Sequence, residues 1–394
     1  MSDEVTLTEA ARRAGVTPGT LRRWAGAGVV PQAEDGSWSP QAVAQARVVA
    51  RLRERGHSLA EIREATAEGR LAFGYIEDLL PARHGEHTLE EAARETGLEP
   101  ALIRRVYTAI GFTASSLERI SDDDLQLLRY VAAVLAAGFP LIALLQLVRV
   151  YGHALAQMAD AEVRLFHLYV HEPLMREGVD ALQIAEAMEG MSRELLPLAS
   201  PIMDLLHGRF LSHFVEQDVV GHMESDLAPK VLGHLHVAVA FADLAGYTTL
   251  TEEEGEEEAL GAVERFVAGV EATLPDEARV IKTIGDEVMV VSSDAGALAE
   301  WAVGFQVLHA DERPLPRIGI HAGEVIYRDG DYFGREVNQA HRVAARAAGG
   351  EVLVTRAVVD ASGRHLAFDR IGEVRLKGFR QATEIFLARP RTKG

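Results

Sequence analysis

An internal repeat constrains this chain more than any other feature. Shifting the sequence by 82 residues lays Thr6–Arg23 on Thr88–Arg105, and ten of these eighteen positions are identical. The register continues without a gap through Ser39/Ser121, Arg47/Arg129 and Gly56/Gly138. A segment that recurs in register is one folding unit used twice. Each copy reads as a helix–turn–helix. Thr8 is placed to cap a helix carrying Ala10, Ala11 and Ala14, Gly15 ends it, and Thr17-Pro18 opens the next with proline in its first turn. Leu21 and Trp24 then face inward and leave Arg22 and Arg23 free. Pro31–Pro40 forms a small wing, and helices run on either side of Gly56.

Charge separates the copies. Residues 12–55 carry eight arginines against three carboxylates, whereas residues 94–137 carry five against six. Phosphate contacts supply most non-specific DNA affinity, so only the first copy suits a nucleic acid. The whole chain, at net charge −19, does not. A 394-residue chain with 48% apolar residues is long enough for two or three globular domains, and the lack of cysteine excludes disulfides, thiolate metal sites and cysteine nucleophiles. The acidic start MSDEV, with no apolar run behind it, points to a cytoplasmic protein without a signal peptide. Tyr130–Val148 lacks charge, but Gly138-Phe139-Pro140 interrupts it. The expectation is two short buried helices and no membrane span.

The first copy, TLTEAARRAGVTPGTLRRWAGAGVVP followed by RLRERGHSLAEIREA, resembles the DNA-binding domain of MerR-type regulators. The resemblance implies duplex DNA bound through residues 1–70, with Arg12, Arg13, Arg22 and Arg23 as contacts. One departure is an acidic wing, where Glu34 and Asp35 stand in place of the family's arginines. The alternative is a docking module with a solvated arginine face. From Leu141 to Leu227 the pattern is long, helical and apolar. With the second repeat as its start, this stretch resembles the helical regulatory domain of some actinobacterial adenylate cyclases. Eight histidines lie in it or just beyond: His153, His167, His171, His207, His213, His222, His234 and His236. They raise the expectation that acidification changes activity through this domain.

Beyond residue 228 the pattern changes to alternating β-branched strands, His236–Ala242, Arg279–Ile284, Glu287–Ser292 and Arg317–His321. Their order with the intervening helices suggests an α+β sheet with helices on one face. Asp243 ends a strand and Asp286 sits in a hairpin turn, two carboxylates suited to divalent ions that also take phosphate oxygens. Asn338 and Arg342, four apart, project from one helical face.

The pieces FADLAGYT, KTIGDEVMV, PRIGIHAGEV, DYFGREVNQAHR and RLKGF closely resemble the class III nucleotidyl cyclase catalytic domain. That resemblance implies a ferredoxin-like α+β domain over residues 234–390, following a MerR-like domain at 1–80 and a regulatory domain at 81–228, the N-terminal half being all-α. It implies that Asp243 and Asp286 bind two Mg²⁺ or Mn²⁺ ions, that Lys282 and Asp331 read adenine, and that Asn338 and Arg342 serve the transition state. Arg317 and Lys377 would contact the triphosphate. The implied reaction is ATP to 3′,5′-cyclic AMP and pyrophosphate, a phosphorus–oxygen lyase chemistry at sites shared across a homodimer. The short loop between Val325 and Asp331 lacks the dimer arm of many members. The competing reading is a transcription regulator whose cyclase fold senses nucleotide.

Overall fold

The two copies of the repeat fold alike. In the first, α1 (Leu7–Arg13) and α2 (Pro18–Gly26) make the helix–turn–helix, followed by α3 (Pro40–Glu54) and α4 (Leu59–Ala67). In the second, α5 (Leu89–Thr96), α6 (Pro100–Ile110), α7 (Asp122–Ala136) and α8 (Leu141–Phe166) occupy the same places. The short bridge that closes each copy repeats at the same offset, Val5 with Trp38 and His87 with Ile120. Thr6, not Thr8, caps α1, because its side chain accepts from the Glu9 amide. Thr88 does the same for α5 in a full capping box with Glu91. Leu21, Trp24 and Trp38 centre the first core, and Ile103, Tyr107 and Leu128 the second.

This is a computed structural model; it describes residues 5–32, 36–68, 70–71, 87–177, 181–224 and 233–391. The chain divides into two compact units, Met1–Leu211 and Ser212–Gly394. Glu34, Asp35 and the boundaries expected near residues 80 and 228 lie outside the described residues.

The stretch around Gly138 is indeed two helices, but they are neither both short nor both buried. Helix α8 is 26 residues long and buries only Leu144 and Gly152. It crosses α6 at Gly152, where any side chain would run into the Ile110 backbone. Ile142, Leu155, Val163 and Leu165 are exposed. A π-helical turn, His167–His171, carries α8 into α9 (Glu172–Arg176), and α10 (Ala181–Glu224) follows with Pro197 and Pro201 inside it. Among the described residues, the run Leu141–Arg176 is long and apolar enough to cross a membrane, and 17% of its most apolar window is buried.

The second unit is built on one sheet. Its strands are β1 (His234–Leu244), β2 (Ala278–Ile284), β3 (Glu287–Ser292), β4 (Pro316–Arg328), β5 (Asp331–Phe333), β6 (Val352–Thr355), β7 (Leu366–Val374) and β8 (Thr383–Pro390). They lie in the order β2-β3-β1-β4-β6-β8-β7, with β5 hairpinned onto β4. Alternation along β1 splits the core. Ala238, Ala240, Ala242 and Leu244 pack under α12 (Glu256–Thr273) and α13 (Ala295–Leu308). Val237, Val239 and Phe241 pack under α14 (Arg335–Ala344). Helices therefore cover both faces, not one. The cause is the apolar stripe Val337, Ala340 and Ala344 on α14, together with Gly319 and Gly323 on β4, which let the helix approach the strand.

Candidate active site

The residues singled out in the second unit fall into three clusters. The first stands at the end of β1. Register puts Asp243 opposite Glu287 of β3 on one side and Arg317 of β4 on the other. The Arg317 guanidinium donates to Asp243 through Nε at 2.8 Å and also through Nη2. The β2–β3 turn, with Gly285 at φ +64°, brings the Asp286 carboxyl onto Asp243. Burial, and then Asp243, push Asp286 up to about 6. Burial and Asp243 likewise push Glu287 up to about 7. Asp243 and Asp286 meet in a half-buried site with Arg317 on one side only, and this hard-oxygen donor pair fits a divalent cation. No group of three or more His, Asp or Glu among the described residues could hold a metal.

The second cluster is a pair. The Lys282 ammonium donates to Asp331, whose other oxygen accepts from the Tyr332 amide at 2.8 Å. The third lines a cavity of about 760 Å³, with Asn338 and Arg342 from α14 facing Lys377 and Arg380 of the loop after β7. Arg335, one turn before Asn338, lines it too and stacks on Phe379 at 5.4 Å.

Of the sequence-derived residues, the structure brings Asp243, Asp286 and Arg317 together, Lys282 and Asp331 together, and Asn338, Arg342 and Lys377 together. Arg317 donates to Asp243, and Lys377 lines the cavity with Asn338 and Arg342. Sequence reasoning missed Glu287 and His341. His341 Nε2 lies 3.3 Å from Glu287 Oε1, and its ring stands edge-on to Phe241 at 5.1 Å. Both residues lie inside quoted motifs, next to Asp286 and Arg342, and that adjacency was the available signal.

In the first repeat Arg22 and Arg23 are exposed on α2. Arg12 and Arg13 also face solvent, but both bind Glu9, at 2.7 and 2.8 Å. Of the histidines, His171 is buried against His167, with Nδ1 atoms 3.1 Å apart, and His234 binds Glu324. His207 and His213 are exposed on α10.

Residues 231–389 match the adenylate and guanylate cyclase catalytic domain family, and residues 5–68 match the MerR helix-turn-helix regulatory protein family. A pH-sensitive adenylate cyclase of Mycobacterium tuberculosis is 33% identical over 334 residues, covering 79% of this chain and 81% of the relative. An adenylate cyclase of Streptomyces coelicolor is 29% identical, covering 72% of this chain and 74% of the relative. The adenylyl cyclase CyaB of P. aeruginosa aligns in structure over 41% of this chain and 96% of its own, at 22% identity and TM-score 0.38. With a relative above 30% identity matched over four-fifths of its length, the chain belongs to the class III adenylate cyclase family and carries a MerR-type helix-turn-helix domain.

Proposed function

We propose that the chain converts ATP to 3′,5′-cyclic AMP and pyrophosphate at two sites, each shared between protomers of a homodimer. One observation carries the shared-site reading. Asn338 and Arg342 line the cavity with Lys377, and neither Asp243 nor Asp286 belongs to that lining. In this reading the carboxylates of one protomer and the Asn338–Arg342–Lys377 lining of the other make up one site, and a two-fold axis completes both. In this reading Asp243 and Asp286 hold the metal, and Arg317 orients Asp243. Lys282 and Asp331 bind the adenine edge, Lys377 holds the phosphates, and Asn338 and Arg342 meet the charge that develops at phosphorus. Divalent ions bound at the aspartates would lower the pKa of the ribose 3′-hydroxyl and neutralise phosphate charge.

The same proposal divides the chain at about residues 80 and 230 into a DNA-reading module, a regulatory helical domain and the cyclase. The reader is the first repeat, through Arg22 and Arg23, with Arg12 and Arg13 contributing less because Glu9 already holds them. The helical domain acts on catalysis, and His171 of its π-helical turn is buried against the exposed His167. Helix α8 is read as a packing surface and not a span, because Arg164 pairs with Asp160 on it and Gly152 rests on α6.

The test is complementation. Asp243→Ala, Asp286→Ala and Asn338→Ala each lower turnover by about a hundredfold or more. Mixing the Asp243→Ala and Asn338→Ala proteins under exchange restores about a quarter of wild-type activity, because half the dimers carry one complete site. A mixture that stays inactive although heterodimers form would sink the shared site.

A further inference from the structure

Strand β2 does not run straight into the base-reading pair. Arg279 lies across from Val291 of β3 and Val280 from Val290, but Lys282 lies across from Met289, so Ile281 is an extra residue. Without it, Arg279 and Lys282 would point to opposite faces, since side chains alternate along a strand. The bulge puts both on the face that carries Met289, Val291 and Tyr332 under α14. Two parallel rungs then tie β2 to β5. Lys282 donates to Asp331, and Arg279 donates to the hydroxyl of the next residue, Tyr332.

The Arg279 rung is held on both sides. Its guanidinium lies over the Tyr332 ring at 5.7 Å and over the Phe214 ring of α10 at 5.2 Å. A hydrogen bond from Gln217 to the Asp276 carbonyl ties the same stretch of α10 to the start of β2. Tyr332 is 3% exposed, and its hydroxyl is pushed above the usual range by burial, so it stays a neutral acceptor.

We propose that Arg279 is a positioning residue for base selection: by gripping Tyr332 beneath Phe214 it fixes the spacing of Lys282 and Asp331, and with it the preference for an adenine over a guanine nucleotide. This rests on the assignment of Lys282 and Asp331 as base readers. A site built to hydrogen-bond one base edge rejects the other because buried groups go unpaired, and that rejection weakens once the groups can shift.

The experiment measures, on the full chain, KM and kcat for ATP and the inhibition constant of GTP as competitor. The variants are Arg279→Lys, Tyr332→Phe, Phe214→Ala and Lys282→Ala. Tyr332→Phe removes one oxygen from a packed ring and keeps the fold testable by its melting curve. The expected result for Arg279→Lys and Tyr332→Phe is a several-fold rise in KM for ATP, with kcat changed less and GTP binding no weaker. Combining the two adds little, and Phe214→Ala shifts KM in the same direction. Variants that weaken ATP and GTP equally, or leave both as in the wild type while Lys282→Ala destroys discrimination, would overturn the role of Arg279 alone. Unchanged discrimination in Lys282→Ala would overturn the base-reading assignment and this inference with it.

Discussion

His321 shows what a single side chain does beneath α14. It lies on β4, 7% exposed, with Nδ1 at 2.8 Å from Thr355 Oγ1 and Nε2 at 2.5 Å from Glu336 of α14. Burial holds its pKa below the ordinary value in spite of Glu336. The unfolded chain therefore takes up this proton first as pH falls. Stability is fully present above about pH 6.5 and is lost below it. Calorimetry of the wild type and of His321→Gln, from pH 7.5 to 5.5, should show a steeper loss in the wild type; parallel curves would remove His321 from the account. Nothing at the level of the PRIGIHAGEV motif distinguishes this structural histidine from a catalytic one. Asp243, Asp286, Lys282 and Asn338 could be singled out in the sequence because the chemistry proposed for them fixes residue type at those points. The Arg317 partner could not, because a cross-strand neighbour depends on register, which local sequence does not state.

Among the elements, α14 is the one whose position decides the most. Gly319, His321 and Gly323 alternate along β4 and form the track on which it lies. A Cβ at Gly319 would overlap the Ala344 backbone, and one at Gly323 would press on Glu336. Gly319→Ala should cost about 1–3 kcal/mol of stability through overpacking and lower kcat, because Asn338 and Arg342 ride on the displaced helix. Gly304→Ala in α13, where a Cβ meets nothing within 4 Å, is the control. Equal behaviour of the two variants would show that α14 tolerates the shift. Helix and strand spans in this unit followed from alternation and length. The second helical layer did not, because the stripe on α14 reads equally well on either side of a sheet. Likewise the Ile281 bulge leaves no mark in the run ARVIKTI.

At the scale of the whole molecule, the duplicated module separates shape from charge. Both copies keep the helix–turn–helix, the closing bridge and an exposed arginine pair on the second helix, Arg22–Arg23 and Arg104–Arg105. Only the first pair stands in a basic surround. Fluorescence anisotropy with duplex DNA should show affinity that falls steeply with salt. Arg22→Ala with Arg23→Ala should reduce both the affinity and the salt slope, while the same changes at Arg104 and Arg105 should do neither. Equal loss from the two double variants would mean that local charge does not select the reader. The repeat was visible in the sequence because duplication preserves caps and core spacing. The exposed apolar length of α8 was not, since hydropathy alone does not say which face is covered. In the second unit, β1 is hydrogen-bonded along both edges, from His234 to Leu244 against β4 and from Ala238 to Asp243 against β3. Any local opening that let Asp243 drift would have to break two ladders at once, so its amides belong with the last to exchange with solvent. The proposed metal-binding carboxylate is thus held in a strand laddered on both edges, whereas Asn338 and Lys377 stand exposed on a helix face and a loop.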